Sequence, residues 1–156
     1  MIPRKGAEVA KISEKSLRDV LEVRRSLEEL AGELACQRMT PEQLQALQEA
    51  QDSFAEALKK DDVMTMAEAD EHFHDVIYEG TCNTRLLQML NNLREQMYRY
   101  RLECLKDADK RQILLIEHEK IVKAIRSHHV SEAKAAMREH IDNQEITVAK
   151  NIKERD

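Results

Sequence analysis

Glycine and proline are almost absent: the 156 residues hold three glycines and two prolines. Long tracts therefore run without the residues that most often break regular structure, so a loop-rich or many-turned β architecture is not expected. Long apolar runs are missing too. The longest, residues 113–116, is far too short to span a membrane, and no signal-peptide pattern opens the chain. The three cysteines (Cys36, Cys82, Cys104) are odd in number and widely spaced, with no CxxC pair. They read as free thiols in a reducing cytoplasm, not as a disulfide framework or a zinc ribbon. A basic excess is also lacking: the net charge is −5, with acids interspersed among the bases. Phosphate binding needs concentrated Lys and Arg, so no nucleic-acid surface is expected on this chain. Motifs of HExxH, GxSxG or Gly-rich phosphate-loop type do not occur.

Charged residues make up 35% of the sequence and apolar ones 42%. Together with the abundance of Ala, Leu, Glu, Lys and Arg, this favours an all-α protein. Apolar positions Leu17, Leu21, Leu27, Leu30, Ala31 and Leu34 recur at helical spacing across residues 13–39. Thr40, Pro41 and Gln43 form a start signal for a second helix ending near residue 59. Asp61 or Asp62 caps a third, closed by Gly80 as a C′ residue. Asn83 caps a long fourth helix over residues 84–107, Asp109 opens a fifth, and Ser131 caps a sixth that reaches about residue 150. Short connections make consecutive helices antiparallel neighbours, and the expected fold is an antiparallel bundle of six or seven helices. Residues 1–12, with Pro3 and Gly6, form a separate short segment ahead of the helical unit 13–156.

The segment EADEHFHDVIYEG (68–80) places Asp70 and His74 one turn apart on the face that carries Val63, Met66, Ala67 and Ile77. That face points inward, and a buried carboxylate without a partner costs several kcal/mol. His118 is in phase with Leu114, Ile121 and Ile125. His140 is in phase with Ala133, Ala136, Met137 and Ile141. The turn between their helices centres near His129, equidistant from both, so in an antiparallel hairpin the two histidines come to one level. Asp70, His74, His118 and His140 can therefore converge. An Asp-plus-three-His set suits zinc, nickel, manganese or iron, and copper less well. The alternative is four polar core residues, each satisfied separately. His72 falls on the solvent face, and His128 and His129 lie in the turn. A di-iron carboxylate site would need two Glu-x-x-His motifs, and only Glu71 with His74 provides one.

The stretches EVRRSLE (22–28), DEHFH (70–74), GTCN (80–83), EHEKIVKAI (117–125) and AAMREHI (135–141) occur in an order that resembles a known family. It is the C-terminal effector domain of FadR-type regulators in the GntR family of transcription factors. The resemblance spans about residues 13–150. It implies an all-helical bundle that binds a small organic acid and, in one branch, a divalent metal through residues matching Asp70, His74, His118 and His140. It also implies that Arg24, from EVRRSLE, meets the effector's carboxylate through a bidentate fork, with Arg25 its exposed neighbour. Asn83, Tyr98 and Arg101 are further effector-lining candidates; their plainer roles are a helix cap, core packing and a surface charge. Residues 2–12 look like the last strand of a winged helix-turn-helix wing. The DNA-binding domain itself is missing, so DNA is expected as a partner only through that absent domain, with the effector domain forming a homodimer. No enzymatic activity is expected. Two rivals are a metal-dependent hydrolase or lyase and a bundle merely stapled by metal.

Overall fold

In a computed structural model, which describes residues 12–155, the chain folds into seven α-helices. They are α1 (Glu14–Arg38), α2 (Pro41–Ala57), α3 (Val63–Gly80), α4 (Thr84–Asn92), α5 (Arg94–Leu105), α6 (Ala108–Arg126) and α7 (Val130–Arg155). The all-α bundle expected from the sequence is the fold, and no helix among the described residues is long and apolar enough to cross a membrane. Apart from Ile12, the wing segment expected at residues 1–12 lies outside the described residues.

Local chemistry sets most boundaries. Ser13 accepts from the Ser16 amide at the start of α1. The Thr40–Gln43 capping box opens α2 with both of its reciprocal bonds formed. Asp62, one of two expected caps, accepts from the Met64 amide. Asn83 does the same for Leu86.

Four expectations are corrected. The long helix over 84–107 is broken at Leu93 (φ −99°, ψ 1°), whose amide turns back to the Leu90 carbonyl at 3.0 Å. Asn91 and Asn92, both weak helix formers, precede the break. The break lets Leu86 and Leu90 of α4 and the Met97, Tyr100, Cys104 side of α5 each reach the core. Asp107 rather than Asp109 caps α6, accepting from the Asp109 amide itself. α7 begins at Val130, one residue before Ser131, and continues to Arg155, which is tied to the buried Glu103 of α5. Gly80 is the last residue of α3 and not a left-handed C′ residue. A Cβ there would run into Met39 Cγ and Sδ, so close packing, not a turn, requires glycine.

The long helices α1 and α7 pack against each other along their length, and α6 and α3 close the bundle around them. The apolar core falls into two clusters. One is centred on Phe73, Ile77, Ile121 and Met137, the other on Leu21, Phe54, Met66 and Ile141. Along each of four helices the sequence passes from one cluster to the other through buried polar side chains. These are Arg24 and Glu28 on α1, Asp70 and His74 on α3, His118 on α6, and His140 and Gln144 on α7. A polar layer thus crosses the bundle between two apolar ones.

Gly80→Ala is expected to destabilise the protein by about 1–3 kcal/mol through overpacking against Met39. Helix propensity alone would give a gain of about 1 kcal/mol, so the sign of the shift in a urea midpoint decides between the two effects.

Candidate metal centre

The polar layer brings together three of the histidines and one aspartate. His74, His118 and His140 each present a ring nitrogen such that all three lie within 4.8 Å of one another. His74 Nε2 is 3.3 Å from His140 Nε2. Asp70 Oδ1 stands 2.9 Å from His118 Nε2 and 3.5 Å from His74 Nε2. All four side chains are buried.

Each donor is held by its neighbours. His118 is gripped by the only two phenylalanines in the chain. Its ring stacks on Phe73 with centroids 4.0 Å apart and 8° between planes, and meets Phe54 in a tilted contact at 4.6 Å and 44°. His140 Nδ1 is 2.6 Å from Glu117 Oε1, while Glu117 Oε2 accepts from Asn143 Nδ2 at 2.6 Å. A proton on Nδ1 donated to that carboxylate leaves the Nε2 lone pair facing the cluster, the arrangement that carboxylate-bonded metal ligands use. Asp70 Oδ2 accepts from Arg101 Nε, which leaves Oδ1 for the cluster.

Electrostatics follow from this burial. It pushes the His118 pKa down to about 4 and that of His74 down as well, outweighing the pull of Asp70 in the other direction. Both rings are therefore neutral at pH 7, as ligands must be. Burial alone would raise Asp70, but Arg101 and the adjacent histidines more than offset it and hold the carboxyl well below its ordinary range.

Polar satisfaction tests whether a cation fits. Asp70 Oδ1 and His118 Nε2 are both buried without a hydrogen-bond partner, despite lying 2.9 Å apart. They approach closely without being aligned on each other, as two donors directed at a common third point would. Ligands about 2.1 Å from one ion are about 3.0–3.4 Å apart at the edges of an octahedron or tetrahedron. Of the observed separations, 3.3 Å falls inside that range, and 2.9 and 3.5 Å lie 0.1 Å beyond its two ends. The residues fit a divalent metal.

A second polar group adjoins the first. Arg24 Nε donates to Glu28 Oε2 at 2.9 Å, the Tyr78 hydroxyl donates to the same oxygen at 2.7 Å, and Arg24 Nη1 donates to Gln144 Oε1. Burial opposes the charge on Glu28, but Arg24, His74 and Tyr78 outweigh it and keep its pKa below the usual value.

The remaining predicted residues fall elsewhere. Arg101 is buried on Asp70 and not a surface charge. Asn83 spends its side chain capping α4, and the Tyr98 hydroxyl lies 3.5 Å from Met64 Sδ at the edge of the bundle. The neighbouring Tyr100 is the buried one. Arg25, expected to be exposed, is half-buried against Asp142 and Glu145 of α7. His128 is bound through Nδ1 to the Cys36 carbonyl at 2.8 Å, and His129 pairs with Glu132, so both turn histidines have other partners. Sequence reading passed over Glu28, Glu117 and Gln144. Their signal was the same helical phase: Glu117 lies between Leu114 and Ile121, Glu28 four residues after Arg24, and Gln144 four after His140.

The profile of the FCD domain matches residues 19–143. The chain belongs to the FCD domain family. Among solved structures, Escherichia coli McbR/YncC superposes with a TM-score of 0.80 at 20% identity, covering 91% of this chain and 72% of that one. Streptococcus agalactiae GntR gives 0.71 at 24% identity, covering 93% of this chain and 64% of its own. This FCD domain therefore shares their fold while spanning only part of their length. No curated protein sequence matches it. Family membership makes this an effector-sensing regulator domain, as the sequence motifs implied.

The buried histidines set a pH dependence. An unfolded chain protonates His118 near pH 6.5, the folded one only near 4, so the unfolded state binds the extra proton in between. With chelator present, stability is expected to hold above pH 7 and to fall by a few kcal/mol between about pH 6.5 and 4. Asp70 and Glu28, both lowered, add a further loss as they protonate at more acid pH. Urea midpoints across this range check the sign, and His118→Phe should flatten the upper part of the decline.

Proposed function

We propose that this FCD domain binds one divalent metal through Asp70, His74, His118 and His140 and senses a small organic acid beside it. The observation that carries the reading is the convergence of four buried donors from three helices, two of them unsatisfied by any protein partner. Zinc, nickel and manganese suit this mixture of imidazole and carboxylate. When bound, such an ion supplies a Lewis-acid position for an effector carboxylate oxygen.

The chain's own residues do the rest. Glu117 orients His140 and keeps its proton on the outer nitrogen. Phe54 and Phe73 hold the His118 ring at a fixed angle. Arg101 keeps Asp70 ionised and turned toward the cluster. Arg24 offers the guanidinium for the acid's anionic end, one face of the polar layer away. Asn83 and Tyr98 are secondary effector candidates, since each side chain already has a local contact. In a longer chain with a winged helix-turn-helix ahead of α1, effector binding would re-aim the DNA-binding units of a cytoplasmic homodimeric regulator. The coupling equals the difference in effector affinity between the two arrangements.

Complete burial of the donors favours one rival, in which the metal only staples α3, α6 and α7 together. Ligand-induced stabilisation separates the two: a sensor gains melting temperature with a suitable acid, whereas a staple gains only with metal.

Elemental mass spectrometry on protein purified without chelator or affinity metal is expected to find about one divalent ion per chain. A His118→Ala/His140→Ala double variant should lose it. No metal after dialysis against zinc, nickel and manganese would sink the reading and return these histidines to core packing. In a protein that does bind metal, Glu117→Ala should weaken affinity by about 10–100-fold, because His140 loses the carboxylate that orients it. Competition against a chromogenic chelator measures the loss.

A further inference from the structure

A cavity of about 160 Å³ opens between α5, α6 and α7. Ile113, Leu114 and Ile146 form its apolar walls, Lys110 stands at the rim, and Glu117 and Gln144 lie at its inner end. A cavity of roughly 150 Å³ accommodates benzene, while drug-sized ligands need about 300–1,000 Å³. The space therefore suits a compact body of about six carbons. Ile113 and Ile146 are 43% and 64% exposed, so the mouth is apolar at a place where a soluble bundle gains nothing from it.

Gln144 connects this cavity to the polar layer. Gln144 is among the residues lining the cavity, and its amide oxygen accepts from Arg24 Nη1 inside the bundle. Glu28 occupies only Nε of the same guanidinium, so the Nη edge is held by a neutral acceptor. A carboxylate makes a charge-assisted, potentially bidentate contact with that edge, stronger than a neutral amide can make. Glu117 does not compete for Arg24, because its two oxygens are already paired with His140 and Asn143. At the rim, the half-buried Lys110 carries no ion pair among the described residues and attracts an incoming anion.

We infer that this cavity is the effector's specificity pocket, and that Gln144 is a placeholder on Arg24 which the effector's carboxylate displaces. The inference rests on the acid-sensing reading and narrows it. The effector is a monocarboxylic acid whose apolar body, no larger than about a benzene ring, stays between α6 and α7 against Ile113 and Ile146. Its carboxylate reaches inward to Arg24.

Benzoate serves as the probe, with acetate and oxalate as acids lacking the body and benzyl alcohol as a body lacking the charge. Methyl NMR of isoleucine-labelled, metal-loaded protein is followed during titration, alongside melting temperature. Benzoate is expected to shift the Ile113 and Ile146 methyl signals and raise the melting temperature, with acetate, oxalate and benzyl alcohol each weaker by about tenfold or more. Ile146→Trp, at an exposed site that leaves folding intact, should fill the mouth and cost benzoate a similar factor. Gln144→Glu should cost as much by placing a permanent carboxylate on Arg24. If acetate or oxalate binds as well as benzoate, or benzoate binds without moving those methyls, the pocket is wrong and acid sensing stands. Unchanged benzoate affinity in Ile146→Trp has the same meaning. If none of the acids binds, both readings fall.

Discussion

A carboxylate removed from water is the constraint around which this bundle is arranged. Asp70 is buried in the middle of α3, where an isolated charge would cost several kcal/mol, a large share of a domain's margin of stability. Arg101 must therefore be buried with it, and α5 must present that arginine at the right level. The break at Leu93 makes this possible by letting α5 set its own direction independently of α4. Three histidines then complete the surroundings of the other Asp70 oxygen. The division of the apolar core into two clusters follows, because a polar layer of this size cannot be packed into a single continuous one.

Rigidity in that layer comes from unlike devices. His118 is oriented by aromatic faces, His140 by a carboxylate, and Asp70 by a guanidinium. Each fixes a direction, not merely a distance, so the donors converge before any ligand arrives. Preorganisation of this kind lowers the entropy cost of binding. It also has a cost of its own: several polar atoms stay unsatisfied in the protein alone. The group around Arg24 is organised differently, since its guanidinium is already engaged with Glu28 and Gln144 and could admit an anion only by exchange.

Much of this could be read from the sequence because it depends on helical phase. Asp70 with His74, and the equal spacing of His118 and His140 from their turn, need only a 3.6-residue period and an antiparallel hairpin. The caps at Ser13, Thr40 and Asn83 are likewise local chemistry. What phase alone does not carry is partnership across helices. Arg101 read as a surface charge because nothing in its own helix shows that it faces Asp70. Glu117 and Gln144 were in phase with their cores yet went unmarked, because a lone inward polar residue acquires meaning only from its opposite number. The interruption at Leu93 lacks proline or glycine, so two asparagines were its only sign.

Arg24 and Arg25 are consecutive, yet they bond to opposite sides of the same stretch of α7. Arg24 reaches Gln144 in the interior, and Arg25 reaches Asp142 and Glu145 at the surface. Together they clasp α7 and fix the axial register between the two longest helices of the bundle. Sliding α1 by a single residue, about 1.5 Å, would strain both grips at once. Losing only the inner one would still leave the outer pair of bonds to hold α1 in its place along α7.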